Sequence, residues 1–177
     1  MEVEVKFKVD DDAKIKKRLN ALGAKYLKTV IEYDHYYQHP CKNFKESDEA
    51  LRVRVYDSKC ELTYKGPRVS DKAKAREEIS VDVSHFEKLD MILIRLGFRR
   101  IATVIKKRSI YLLGDFKVSI DKVRDLGIFV EIEYIKPVSQ QYLQEVINKL
   151  KKVAKELRVK GPSILKSYLE LLLEKQC

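Results

Sequence analysis

No stretch of this sequence approaches the ~20 consecutive apolar residues that a membrane span requires. Its first nine residues, MEVEVKFKV, alternate charge with apolar side chains where a secretory leader carries an unbroken apolar segment. Both absences point to a cytoplasmic protein. Cysteine is scarce: Cys41, Cys60 and Cys177 show no Cys-x-x-Cys spacing, which removes a disulfide framework and a four-thiolate zinc site and leaves reduced thiols. His35, His39 and Cys41 offer three ligands for a zinc ion and no fourth, so they read as ordinary loop residues. There is no low-complexity tract and no internal repeat. Negative charge is also short, with 37 Lys and Arg against 27 Asp and Glu, a net +10. That excess suits a polyanionic partner, whether nucleic acid, anionic membrane or phosphorylated small molecule. The ion-pair-rich surface of a thermophile accounts for many of these lysines as well.

What is present is enough apolar material for one domain: 177 residues, 45% of them hydrophobic. Residues 10–22 place Ile15, Leu19 and Leu22 at helical spacing between aspartates and Gly23. Ser84 and Glu87 form a capping-box pattern ahead of Phe86, Leu89, Leu93 and Leu96, and Gly97 ends that helix. Two further helices are predicted at 139–159 and 163–175, either side of Gly161-Pro162. Lys149, Lys151, Lys152 and Lys155 read as the solvated face of the first of these. The segments near 25–37, 49–57, 60–66, 76–83, 98–113, 116–123 and 127–135 read as strands, joining the N-terminal one, and the lysine-rich piece 70–75 as a loop.

The strands share an alternation that solvent exposure alone does not explain. Successive strand side chains point to opposite faces. Leu51, Val53 and Val55 thus oppose Arg52, Arg54 and Tyr56; Ile79, Val81 and Val83 oppose Arg76, Glu78, Ser80 and Asp82; Val130, Ile132 and Tyr134 oppose Glu131 and Glu133. A sheet with one wet face accounts for the alternation. It does not account for the repeated like-charged pairs, because neighbours of one sign on one face repel and ordinary surfaces mix signs. About eight such strands can instead close into a barrel with a polar lumen, their apolar outer face covered by helices. Glu2, Glu4, Asp121, Glu131 and Glu133 offer hard oxygen ligands suited to Mg2+ or Mn2+. Lys6, Arg52, Arg54, Lys65, Lys106 and Arg108 offer a clamp for phosphate oxygens. A metal-bound polyphosphate satisfies both sets, whereas a bare nucleic-acid backbone leaves the carboxylates without a use, so nucleic acid is disfavoured.

These residues resemble the CYTH domain proteins of the triphosphate tunnel metalloenzyme superfamily. Glu2, Glu4 and Lys6 match the N-terminal Glu-x-Glu-x-Lys signature, Arg52 and Arg54 the Arg-x-Arg strand, and Lys65 the lysine of the next strand. Arg76 to Glu78, the pair Lys106 and Arg108, Asp121, the pair Glu131 and Glu133, and the SYLELL stretch at 167–172 follow in order. The resemblance spans nearly the whole chain. It implies an α+β fold built on an eight-stranded antiparallel barrel forming a tunnel, one or two divalent metals on the acidic residues, and a triphosphate on the basic ones, Arg76 included. DHYY at 34–37 looks most like the class IV adenylyl cyclase branch and its archaeal relatives.

On this reading the expected activity is conversion of ATP to cyclic AMP and pyrophosphate, with Glu4, Lys65 and Arg108 as the catalytic set. A triphosphatase acting on inorganic, nucleoside or thiamine triphosphate would use the same site. A non-catalytic module binding polyphosphate or an RNA 5′-triphosphate is a third reading, against which the complete acidic set argues. The expected partner is a small triphosphate, ATP or inorganic triphosphate, with no membrane, and a homodimer is left open.

Overall fold

A computed structural model describes residues 1–70 and 73–176. The strands are β1 (Glu2–Val9), β2 (Lys25–Gln38), β3 (Ala50–Tyr56), β4 (Lys59–Lys65), β5 (Lys74–Arg76), β6 (Glu78–Val83), β7 (Arg99–Leu113), β8 (Phe116–Val123) and β9 (Gly127–Tyr134). Among them lie helices α1 (Asp12–Ala21), α2 (Phe86–Arg95), α3 (Leu143–Glu156) and α4 (Tyr168–Gln176). All nine strands join one antiparallel sheet in the order β5-β1-β9-β8-β7-β2-β3-β4-β6.

Among the described residues the barrel therefore has nine strands rather than eight, and the extra one has a simple origin. The predicted strand at 76–83 bends at Glu77. Upstream of the bend, Lys74–Arg76 pair with β1, and downstream, Glu78–Val83 pair with β4. These are the two ends of the sheet order, so one residue carries the chain from one edge of the sheet to the other. The Gly66 amide helps hold the bend by donating to the Glu77 carbonyl at 3.0 Å. Of the predicted loop at 70–75, residues 71 and 72 lie outside the described residues, and Lys74 and Ala75 belong to β5.

Outside the barrel, α1 and α3 lie over β1, β8 and β9. Ile15 and Leu19 join Val146, Ile147, Leu150, Val153 and Leu157 against Val3, Val5, Val118 and Ile132. Fully burying an aliphatic side chain of this size contributes about 1.5–3 kcal/mol, so this layer anchors the fold. The Asp11 side chain caps α1 by accepting from the Ala13 amide at 2.9 Å. The capping box predicted for α2 does not form. His85 occupies the cap position and makes no side-chain cap bond, so the entry into α2 is set by packing of Phe86, Leu89 and Leu93 over β3 and β4. Coverage by helices is partial: Ile79 and Val81 on β6, Ile31 on β2, and Met91, Ile92 and Leu96 remain exposed. The last helix starts at Tyr168, five residues later than predicted, because the preceding segment is committed to the barrel. Ile164 donates its amide to the Lys6 carbonyl at 2.7 Å.

Candidate active site

The puzzle of like-charged pairs along single strands is resolved by register. Inward-facing residues meet the opposite sign across the sheet: Asp34 faces Arg54, Glu32 faces Lys106, Arg108 faces Asp121, Lys117 faces Glu133, Lys65 faces Glu78 and Lys6 faces Glu131. The sheet encloses a cavity of about 720 Å³ lined by these walls and by Ser167, Tyr168, Leu169 and Glu170 from the C-terminal segment.

One end of the charge set is buried. Asp34 accepts both forks of Arg54, at 2.6 Å from Nε and 2.9 Å from Nη2, and also takes the Lys106 ammonium. Glu32 stands 2.9 Å from Lys106 and 3.2 Å from Arg54. Burial alone would raise the Glu32 pKa, but Arg108, Lys106 and Arg54 outweigh it and hold the carboxyl down at about 2. Arg108 grips Asp121 with both forks, at 2.7 Å and 2.5 Å, and reaches Glu131 as well. The Tyr168 hydroxyl donates to the same Asp121 at 2.8 Å. Burial works against the Arg108 charge, yet Asp121, Glu32 and Glu131 raise its pKa further still.

The opposite wall combines Glu2, Glu4, Lys65, Lys74, Arg76, Glu78, Lys117 and Glu133. Lys74 donates to Glu4 at 3.0 Å, and Lys65 to Glu78. Glu4 and Glu133 lie directly opposite each other in the β1–β9 register. Burial raises the Glu2 pKa, with Lys65 opposing and Glu78 adding to the rise. Burial also raises that of Glu133, with Lys117 opposing and Glu2 adding to the rise. Arg52 bonds Glu61 at 3.2 Å and Thr63 at 3.0 Å, while its buried Nε has no hydrogen-bond partner among the described residues.

The expected residues are therefore divided. Arg52, Arg54, Lys65, Arg76, Lys106 and Arg108 line the cavity, as do Glu2, Glu4, Glu131 and Glu133. Lys6 and Asp121 do not, and both are fully buried behind the wall. Lys6 donates to the Lys166 carbonyl at 2.5 Å and lies 4.1 Å from the Tyr168 ring centre. Burial, aided by the Lys74 charge, pushes its pKa well down. Residues missed in the sequence include Glu32 and Asp34, an acid-x-acid pair of the type used to find Glu131 and Glu133, and also Lys74, Lys117 and Tyr168. Arg68 was missed as well. It ties Asp48, the Leu165 carbonyl and Glu170 together at 2.9, 3.1 and 3.3 Å, fastening two loops to α4.

Among the described residues, no three His, Cys, Asp or Glu side chains are gathered as a metal site. The reason is visible: Glu4, Glu131 and Glu133 are each drawn to a cation. The donor chemistry nevertheless fits a hard divalent ion at Glu2, Glu4 and Glu133, where half-buried carboxylates share one wall and two resist ionisation. The charge of the lining agrees. Among the described residues, ten Lys and Arg face eleven Asp and Glu around the cavity. A nearly neutral wall gives a triphosphate little net attraction unless added positive charge offsets the carboxylates.

A family model described as the CYTH domain matches residues 1–168. The chain belongs to the CYTH family. It is 38% identical over 173 residues to a Methanocaldococcus jannaschii protein provisionally named an adenylate cyclase, covering 97% of this chain and 98% of that protein. It is 29% identical to adenylate cyclase CyaB of Aeromonas hydrophila, covering 84% and 80% of the two chains. The solved structure of a Pyrococcus horikoshii protein, 36% identical, superposes with a TM-score of 0.92 over 99% of both chains. CYTH proteins are adenylyl cyclase-like or triphosphatase enzymes, and the family implies a divalent metal. Among the described residues, no helix is long and apolar enough to cross a membrane.

Proposed function

We propose that this CYTH protein converts ATP to cyclic AMP and pyrophosphate in its charged cavity. The observation that carries the reading is the two-part lining. Beyond the charged walls, Phe44, Leu51, Ile101, Leu169 and Leu173 give the cavity an apolar portion. An inorganic triphosphate has no use for such a surface, whereas a nucleoside does. The relative that is 38% identical carries a cyclase name, which supports the same choice.

Glu2, Glu4 and Glu133 would hold the divalent cation, Mg2+ or Mn2+. When bound, the cation lowers the pKa of the ribose 3′-hydroxyl and offsets phosphate charge. The chain's own work is positioning and electrostatics. Lys65, Arg52 and Arg76 grip the phosphate oxygens from three strands, and Arg54 and Lys106 supply charge from the buried end. The 3′-oxygen bonds to the α-phosphorus, the bond from that phosphorus to the β-phosphate bridging oxygen breaks, and the hydroxyl proton passes to water. Arg108, held rigid by Asp121, offsets the charge that collects on the departing pyrophosphate.

A triphosphatase would use the same grip with water attacking the terminal phosphorus. Purified protein incubated with ATP, inorganic triphosphate and thiamine triphosphate in Mg2+ or Mn2+ separates the cases. Cyclic AMP with pyrophosphate is the expected result, and orthophosphate without cyclic AMP overturns it. A protein that binds all three and leaves each intact is a binding module.

A further inference from the structure

The cavity wall is close to electrically neutral, so it does not account for the net charge of +10 or the isoelectric point near 9.4. Part of that excess is concentrated on the layer formed by α1 and α3. Lys17, Lys151, Lys152, Lys155, Arg158 and Lys160 are all exposed, and none belongs to any ion pair among the described residues. The two helices are joined where the Arg18 guanidinium donates to the Glu156 carbonyl at 2.9 Å, a contact one residue from Lys17 on α1 and one from Lys155 on α3. Ion pairs occur on this layer too, where Lys16 and Lys122 share Asp12 and Lys149 meets Glu145, and beyond it, where Lys136 meets Asp115 and Lys166 meets Glu174. Single exposed cations without an ion pair among the described residues, such as Lys25, Lys59, Lys107 and Arg124, are scattered over the rest of the exterior. What sets the α1–α3 layer apart is density: Lys151, Lys152, Lys155 and Arg158 fall within eight consecutive residues, all exposed and none in an ion pair among the described residues.

We propose that this α1–α3 face binds the phosphate backbone of a nucleic acid without reading its sequence. The sequence alone marked part of it as a merely solvated face. The structure adds that the tunnel does not use the charge excess and that these cations stand unpaired together.

The rest of the face says what it binds. An interfacial membrane helix needs an apolar side to insert, and the apolar side of α3 is spent on the core through Val146, Ile147, Leu150, Val153 and Leu157. A protein partner is anchored by apolar or aromatic side chains at the centre of its footprint, and the exposed residues of α3 are Gln144, Glu145, Asn148 and lysines. Backbone phosphates need neither. Lys151, Lys152 and Lys155 lie on the last turns of α3 and Arg158 follows just past its end, where the backbone turns left-handed, so the four fall within roughly 10 Å, the span of roughly three phosphates of one strand. Lys17 and Lys160 flank them, so about four phosphates are engaged.

The test is fluorescence anisotropy of the intact protein with labelled 20-base-pair RNA and DNA duplexes bearing 5′-hydroxyl ends, which offer the tunnel no triphosphate. For about four contacts, log affinity against log salt has a slope of about −4, equivalent to a loss of roughly 250-fold between 50 and 200 mM salt. The quadruple variant Lys151→Glu, Lys152→Glu, Lys155→Glu, Arg158→Glu should bind at least tenfold more weakly while retaining its circular dichroism and its turnover of triphosphate. The corresponding set of glutamine substitutions serves if the glutamate variant fails to fold. Reversal of Lys88 and Arg95 on α2 should leave duplex binding unchanged. Binding by the RNA duplex alone, or by both duplexes, supports the proposal and identifies which backbone is preferred. It is overturned by a salt slope flatter than −1, by equal binding of wild type and the quadruple variant, or by binding of phosphatidylserine vesicles in place of either duplex.

Discussion

Replacing Asp34 with asparagine tests whether the charges at the buried end of the cavity are structural members of the barrel. The carboxylate is 1% exposed and receives Arg54 through two bonds and Lys106 through another. The substituted amide would keep the shape and remove the charge, leaving two buried cations to share Glu32. Breaking a buried pair from one side costs about 3–5 kcal/mol, a large part of the ~5–15 kcal/mol that holds a domain folded. For a chain of this length each kcal/mol moves Tm by about 2–4 °C, so the expected fall is roughly 6–20 °C. Differential scanning calorimetry and urea midpoints at pH 7 measure it. The acid limb supplies the sign. Burial opposes ionisation of Asp34, but Arg54 and Lys106 hold its pKa well below the ordinary aspartate value. Its contribution is therefore complete above that ordinary value and disappears as pH falls through the folded one. The gap between wild type and Asp34→Asn should narrow in strong acid. A second variant, Asp34→Asn with Lys106→Met, should recover part of the loss because one stranded cation is gone. A Tm within 2 °C of wild type at pH 7, or a gap that is the same in neutral and strongly acidic buffer, would refute the ion-pair account.

Glu32, with its pKa held near 2 against an ordinary 4.5, adds about 3 kcal/mol that is present above pH 4.5 and lost towards pH 2. Urea midpoints should drop across that interval and hold steady from pH 5 to 7. Lys65→Met should raise KM for ATP about 10- to 100-fold, the loss of one charge-assisted bond, in steady-state assays. Mn2+ at about a hundred times its Kd should raise Tm by roughly 5–11 °C, and Glu133→Gln should abolish most of that shift. Tyr168→Phe removes only the hydroxyl that steadies Asp121, so kcat should fall about tenfold with KM within twofold, a split that steady-state kinetics reads directly.

The barrel was legible because its lumen writes a period of two into long strands. Arg52 and Arg54, or Glu131 and Glu133, announce a common face wherever a strand runs seven or more residues. The short strand Lys74–Arg76 was missed for the same reason, since three residues cannot display a period. Glu32 and Asp34, alternating with apolar Ile31 and Tyr33, carried the same signal as Glu131 and Glu133, within a segment already read as a strand. Lys6 was placed on the lumen by alternation, which says which face a side chain takes and not what covers it. What covers Lys6 is the segment from Ile164 to Tyr168, some 160 residues along the chain, and no local pattern reports that contact. Its pairing with the barrel also explains why the last helix begins late. Ser84 and Glu87 had the spacing of a capping box, but packing of Phe86 against β3 and β4 set the first turn instead.

The pairing of β1 with β9 imposes an order in time. Val3 meets Tyr134 and Val9 meets Ile128 in that ladder, and Glu2 meets Arg76 on the other side. During synthesis β1 leaves the ribosome well before β9 and must wait for it. At about 5–20 residues per second, the chain between them takes roughly 6–25 s to emerge. During that interval Val3 can meet only the three-residue β5, once it has emerged, and Val5 and Phe7 have no strand to join. The alternating Glu2, Glu4, Lys6 and Lys8 keep the waiting strand hydrated and hinder its pairing with a neighbouring nascent chain. Glu2 and Glu4, which later line the cavity, and Lys6 and Lys8, which do not, thus share an earlier task, as guards of an unfinished polypeptide.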